Sequence, residues 1–431
     1  MGRLFSKDFS LLVAGQLVSV VGSAIVRFAL DLYVLDVTGR ADVFALVLAL
    51  SSLPGIVFTP VGGAIADRFS KRNLMVGLDA ASAVVVAALI GVMAAGRAPL
   101  LLVGIVLALL SLVASMYQPT VQASVPALAS EANLAQANGL VAGIGAVAAL
   151  VGPVLGGVLY GLVGIDALLA VSFAAFACSA AFELFMRIPF TKRPASRGIV
   201  VTLADDVRQG LRFARCGNPL VMRIILLACA LNMLAVPAFV IGVPYVLRFT
   251  LHSSDLMYGI GLGCTELATI VGALGAGRIT RRFKVTAMNR PIWLFALLTI
   301  PMALAVTPAV LSLGYWPAFV LFFGFEMAAI IVATAMSVFA ITEIQKAIPN
   351  DLLGKVMGVL LAGSQIAAPI GQMLYGLAFE TFSGAVWIPL LLVTAFAALI
   401  GAAARTIFRS TPKKESGHDT SGLADQHRQG V

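Results

Sequence analysis

Gly63-Ala64-Ile65-Ala66-Asp67-Arg68-Phe69-Ser70-Lys71-Arg72 joins two long apolar runs, residues 43–66 and 74–95. Each run has the roughly 20 residues needed to cross a ~30 Å hydrocarbon core as helix. A helix is the only open-chain form that satisfies its backbone hydrogen bonds there. The string therefore sits where one membrane helix turns into the next. Its glycine lets helices approach closely. Its acid suits a neighbouring helix N-terminus, and its basic cluster suits anionic headgroups.

Working outward, further apolar runs centre on 11–35, 99–123, 139–163 and 167–186, then on 224–246, 257–277, 292–308, 315–340, 356–379 and 385–404. Apolar residues fill 60% of the 431 positions and charged residues 11%, with a mean hydropathy of +1.01. Soluble chains run near half apolar and about a quarter charged. The expectation is an all-α membrane protein with 12 transmembrane helices in two six-helix bundles related by pseudo-two-fold symmetry. Residues 1–189 would form the first bundle, 190–219 a cytoplasmic linker, 220–408 the second bundle and 409–431 a disordered cytoplasmic tail.

The net charge of +9 does not imply nucleic acid, because the basic residues lie between apolar runs. With the N-terminus inside, 25 of the 29 Lys and Arg residues fall on the cytoplasmic side. Arg40, Arg97 and Arg248 remain outside, and Arg27 lies within the first helix. That asymmetry places both termini in the cytoplasm. Residues 1–10 lack a cleavable signal pattern, so the first run is expected to stay as a span. The linker should hold one amphipathic helix from Leu203 to about Cys216. Thr202 and Asp205 would cap it, and Leu203, Val207, Leu211 and Ala214 would form the stripe it lays on the inner leaflet.

The two halves echo each other. Ala273-x3-Gly277-Arg278-x-Thr280-Arg281-Arg282 repeats the spacing of Gly63-x3-Asp67-Arg68-x-Ser70-Lys71-Arg72. Ala368-Pro369 leading to Leu374-Tyr375-Gly376-Leu377 repeats Gly152-Pro153 leading to Leu159-Tyr160-Gly161-Leu162 with a one-residue gap. Parallel duplication of this kind is known in transporters whose site lies between the halves.

The Gly63–Arg72 string resembles the loop signature of the major facilitator superfamily, with Ser70 in place of a glycine. The resemblance implies alternating access, with Gly63, Asp67, Arg68, Lys71 and Arg72 forming a conformational latch. Gly139, Gly152, Pro153, Gly156 and Gly157, with Ala148 in place of one glycine, resemble the helix 5 motif of the superfamily's antiporters. Ordinary small-residue packing would explain the same pattern. Gly15-Gln16, Gln118-Pro119 and Asn133-Leu134 with their flanks resemble the bacterial macrolide-efflux and secretion-effector branch. That likeness implies a proton-coupled exporter of an amphipathic or hydrophobic small molecule, such as a drug or macrolide, in the bacterial inner membrane. An uptake permease or lipid transporter on the same fold is the alternative.

Ionisable residues inside the spans are Arg27, Asp31, Asp79, Glu183, Glu266 and Glu326. A charge at membrane depth costs ~2.5–3.5 kcal/mol on insertion scales, so each needs a partner, water or a proton. Arg27 and Asp31 share a helical face and read either as a static ion pair or as a gated one. Glu266 and Glu326 read as proton-coupling or cation-recognition groups, or as structural hydrogen-bonding groups. Gln16, Tyr33, Asn232 and Gln365 could contact substrate or merely bond neighbouring helices. Asp79 and Glu183, near the helix ends, are expected to pair with loop arginines.

Cys178, Cys216, Cys229 and Cys264 show no paired spacing, so neither a disulfide nor a metal framework is expected. His252, His418 and His427 fall in loops or tail, and no nucleophile triad or phosphate-binding loop occurs. A transporter without cofactor is expected rather than an enzyme or a channel. Its partners would be the lipid bilayer, a small-molecule substrate and the proton as coupling ion, with the chain acting as a monomer.

Overall fold

The computed structural model describes residues 6–96, 99–130, 133–188, 199–217, 219–282 and 289–409. The described residues fold into helices, with no strand among them. Helix α1 spans Lys7–Thr38, α2 Ala41–Arg68, α3 Lys71–Ala94, α4 Leu100–Leu128 and α5 Leu134–Leu184. Then come α6 Ile199–Arg212, α7 Pro219–Leu234, α8 Val236–Tyr245, α9 Asp255–Arg282 and α10 Asn289–Leu304. The short α11 Pro308–Leu311 precedes α12 Tyr315–Ala347, α13 Asn350–Thr381 and α14 Trp387–Arg409.

Among the described residues, ten stretches are long and apolar enough to cross a membrane, and α10 is a shorter apolar helix of 16 residues. Their outward faces carry the residues that lipid rather than water would solvate, such as Leu101, Leu162 and Leu274, each 76% exposed. Helix α5 has 51 residues and would run about 75 Å if straight. It does not run straight. Gly164 adopts φ 76°, ψ −178°, a conformation open to glycine because it lacks a Cβ. The two arms fold back so that Ala137 and Val141 share a cluster with Met186, Phe9 and Met75. The sequence runs at 139–163 and 167–186 are these two arms.

Local signals set the other boundaries. Ser6 caps α1 by accepting from the Phe9 N–H. Gly39, at φ 62°, ends it with its N–H on the Leu35 carbonyl at 2.8 Å. The run at 224–246 is broken at Ala235, just before Pro237, into α7 and α8, and a π-helical turn Val246–Thr250 follows. The run at 292–308 becomes α10, ending at Leu304, and α11.

The linker helix corrects one expectation. It begins at Ile199, so Thr202 lies within its first turns and is not its cap. Its end tightens into a π turn, Phe213–Gly217. There it docks on the start of α13: the Lys355 ammonium donates to Gln209 Oε1 at 2.6 Å, and Gly210 packs on the Lys355 backbone. The proposed tail from residue 410 onward lies outside the described residues.

Packing falls into two sets. Helix α1 runs along α5 and α2 along α4, with α3 against both α4 and α5. Farther on, α9 lies along α12, α10 between α12 and α14, and α13 against α7 and α8. Two long contacts join the sets, α2 with α13 and α5 with α9. One apolar cluster spans them, from Phe28 and Phe44 through Tyr258 to Phe322 and Phe379.

Candidate functional site

The Gly63–Arg72 turn is built without glycine geometry at Ser70, whose φ of −59° suits any residue. The side chains of Asp67 and Arg68 lie outside the described residues. Lys71 and Arg72 do not face the headgroups freely. The Lys71 ammonium donates to the Ala123 carbonyl near the end of α4 at 2.7 Å. Arg72 donates to the Leu184 carbonyl at the end of α5. Cations there meet the negative end of a helix dipole, and at Leu184 an unpaired terminal carbonyl as well. Both therefore pin the start of α3 within its own half, not across to the other.

The helix 5 glycines divide by partner. At Gly152 a Cβ would collide with Ala24, and at Gly156 it would sit 2.5 Å from the Phe28 ring, so both press α5 onto α1. Gly157 faces the other way: a Cβ there would lie 2.5 Å from the Asp255 carbonyl and 2.9 Å from Gly259 Cα on α9. Gly259 in turn packs on the Pro153 carbonyl. A Cβ added at Gly139 would meet nothing within 4 Å among the described residues. The repeated Tyr-Gly pair behaves alike in both halves. Gly161 lies against Asp255 at the start of α9, and Gly376 against Ala41 and Ala45 at the start of α2.

Of the intramembrane charges, Arg27 and Asp31 are half-buried on α1. They interact electrostatically without forming a contact pair among the described ion pairs. Asp31 also lies near Tyr258 of α9, whose ring meets Phe28 edge-on at 5.6 Å. Glu326 on α12 is fully buried; its Oε1 accepts from Thr265 of α9 at 2.8 Å, and its Oε2 has no partner. Glu266, half-buried beside Thr265, is its like-charged neighbour.

The polar candidates separate. Gln16 is buried, and its Nε2 reaches the Val141 carbonyl at 3.5 Å, a contact between helices. Asn232 donates to Ala228 in its own helix at 3.0 Å. Tyr33 is buried toward the C-terminal end of α1, while Gln365 is exposed on α13.

Asp79 and Glu183 contradict the expected pairing with loop arginines. Both are buried, at 1% and 0% exposure. Asp79 accepts from Ser19 at 2.7 Å and Glu183 from Tyr117 at 2.8 Å. Position along the run misled the reading: Asp79 lies two turns inside α3, and Glu183, one residue before the end of α5, faces inward rather than toward the loops.

A charged bridge between the halves went unrecognised in the sequence. The Arg248 guanidinium grips Asp36 with two N–H groups, at 2.6 and 2.8 Å, and Asp255 with a third at 2.7 Å. Tyr160 adds a hydrogen bond to Asp36 at 3.2 Å. On the other seam, α2 with α13, the Ala41 N–H donates to Glu380 Oε2 at 3.0 Å. The signal available was Arg248 itself, one of three basic residues outside the positive side. No spacing links it to Asp36, 212 positions away.

The sequence profile of the Major Facilitator Superfamily matches residues 12–371. The chain belongs to that superfamily. Its fold and family are those of transporters, and it is a multi-pass membrane protein. Among relatives in this superfamily, macrolide efflux protein A of Streptococcus pyogenes is 23% identical over 374 residues, covering 86% of this chain and 88% of that protein. The multidrug efflux pump Tap of Mycobacterium tuberculosis is 25% identical over 382 residues, with 85% of each chain covered. Among solved structures, a D-xylose–proton symporter superposes with a TM-score of 0.70 at 10% identity, covering 95% of this chain and 98% of its own. A bacterial ferroportin homologue in its inward-facing state scores 0.66 at 14% identity, with 93% and 97% covered. The outward-facing form of that homologue scores 0.55 at 16% identity, with 93% and 98% covered.

Proposed function

We propose that this superfamily member is a proton-coupled exporter of an amphipathic or hydrophobic small molecule, such as a macrolide or another drug, working by alternating access in the bacterial inner membrane. Counting α5 as two crossings and α10 as one gives twelve, six in each half, with both termini cytoplasmic. Residues 1–189 and 220–408 are then the moving bodies, and 190–219 links them. Export is supported by the two efflux relatives, each aligned over most of its length.

The observation that carries alternating access is the Arg248 bridge. Asp36 belongs to the first half, Arg248 and Asp255 to the second, and the charges meet beside the Gly157–Gly259 approach. On the proposed topology this is the outer end, closed here. Opening it requires Arg248 to release Asp36, and the Asp67 latch would hold the cytoplasmic end shut in that state.

Coupling is assigned to Glu326, Glu266 and Asp31. A buried carboxyl with one unpartnered oxygen is suited to take up and give back a proton, since a lasting charge at that depth is costly. Export follows if proton entry and substrate binding exclude each other at the cavity. The test replaces Asp31 with Asn, and Glu266 and Glu326 with Gln, one at a time, in purified protein in liposomes. At least one variant should lose pH-driven flux while keeping substrate binding. Retention of pH-driven flux by all three would remove this assignment.

A further inference from the structure

Four helices of the first half enclose a polar group that the transport reading leaves unused. Asp79 comes from α3, Glu183 and Ser179 from the second arm of α5, Tyr117 from α4, and Ser19 from α1. Ser19 donates to Asp79 Oδ1, Tyr117 to Glu183 Oε1, and Ser179 to the Gly15 carbonyl at 2.8 Å, within reach of Asp79. Gly15 makes room: a Cβ there would already touch Glu183 at 3.4 Å and Ser179 at 3.5 Å. The two carboxylates lie close enough for their charges to interact.

Two further observations point to a guest. Asp79 Oδ2 and Glu183 Oε2 are buried without a hydrogen-bond partner. Beside Asp79 lies a cavity of about 60 Å³ whose lining also includes Ser19, Ser82, Tyr117 and Gln118, room enough for a small ion or water; Glu183 stands behind this lining and reaches the site through the Tyr117 hydroxyl. No cationic side chain answers the carboxylates among their described neighbours. Lys71 and Arg72, the basic residues toward this end of α3, donate to the Ala123 and Leu184 carbonyls, and Arg72 keeps a buried Nε without a partner. From α1, α3, α4 and α5 the titratable groups facing the site are Asp79, Glu183 and Tyr117 alone.

We propose that Asp79 and Glu183, completed by Ser19, Ser179 and Tyr117, form a binding site for a hard metal cation within the first half. Every donor is oxygen, which selects sodium, magnesium or calcium over softer metals. The described residues hold no group of three His, Cys, Asp or Glu side chains, so hydroxyls and carbonyls must complete the shell. Two ionised carboxylates match a divalent charge, whereas a monovalent ion would leave one carboxyl to keep a proton. A cation here would tie α1, α3, α4 and α5 together independently of which proton carrier or substrate the transporter uses.

The test needs no transport assay, so its failure is separate from failure of the export reading. Purified full-length protein is unfolded by heat in choline chloride, then in sodium, magnesium or calcium chloride at matched ionic strength and pH. One metal should raise the apparent melting temperature in a saturable way, and which metal does so identifies the ion. Asp79→Asn and Glu183→Gln should abolish the rise. Ser19→Ala and Tyr117→Phe, which keep the fold while removing one oxygen each, should shift the midpoint concentration upward by about tenfold or more. Glu326→Gln should leave the rise intact. Absence of any saturable metal effect, its survival in both carboxylate variants, or a response to pH alone would each overturn the proposal.

Discussion

Arg248 places one positive charge between Asp36 and Asp255, and its planar fork suits the two-point grip on Asp36. Charge-assisted hydrogen bonds of this kind are worth ~1.5–3 kcal/mol each. Arg248→Ala should therefore shift the balance toward an open outer end by roughly tenfold or more, since ~1.4 kcal/mol is tenfold. Labelling from outside intact cells of a cysteine introduced at Tyr258, buried against Phe28 of α1 in this closed form, should speed up accordingly; unchanged labelling would count against the bridge as a gate. Arg248→Lys keeps the charge but loses the fork and should fall between. The residues that sequence disclosed best were those whose meaning is local. Glu326 was recognisable because a carboxyl in a long apolar run is costly wherever the helix turns. Asp79 and Glu183 were visible for the same reason, but their partners were misassigned. A one-dimensional reading gives depth, while partnership depends on which faces meet. The Asp36–Arg248 contact was illegible because two distant helices create it.

Helix α5 is the element on which both closure and internal packing depend. Gly152 and Gly156 seat it on α1, and Gly157 lets the Asp255 backbone of α9 come into contact. These roles predict different failures. Gly152→Leu drives a side chain into Ala24 and should destabilise the first half by ~1–3 kcal/mol, as overpacking does, visible as a lowered melting temperature. Gly157→Leu obstructs only the approach of the two halves. It should leave melting little changed while abolishing transport and raising outside labelling of a cysteine at Tyr258. If Gly157→Leu transports normally, the α5–α9 contact is not the closing seam. The glycine spacing was legible in sequence because small residues at helical intervals imply a close-packed face. Which neighbour each face meets was not, and a Cβ added at Gly139, counted with the motif, would meet nothing within 4 Å among the described residues. The Gly164 bend was legible as the gap between the runs at 139–163 and 167–186; that the helix carries on through it was not, because the turn rests on one positive φ.

For the whole molecule, the two contacts between halves follow the internal repeat. Gly161 meets the start of α9, and its counterpart Gly376 meets the start of α2. A duplicated chain closes on itself with equivalent parts at equivalent places, and such symmetry suits a site between the halves that opens to one side at a time. Asp67→Asn should weaken the opposite, outward-open state, leaving a protein that reaches the membrane yet transports little. Normal flux in that variant would speak against the latch. The measurement closest to the central claim is made on purified protein in liposomes with an imposed pH gradient and a radiolabelled macrolide. A transmembrane pH difference should drive the macrolide against the direction of proton flow. Collapsing the gradient with a protonophore should stop accumulation. Accumulation that ignores the pH gradient, or that runs with the protons, would contradict proton-coupled export.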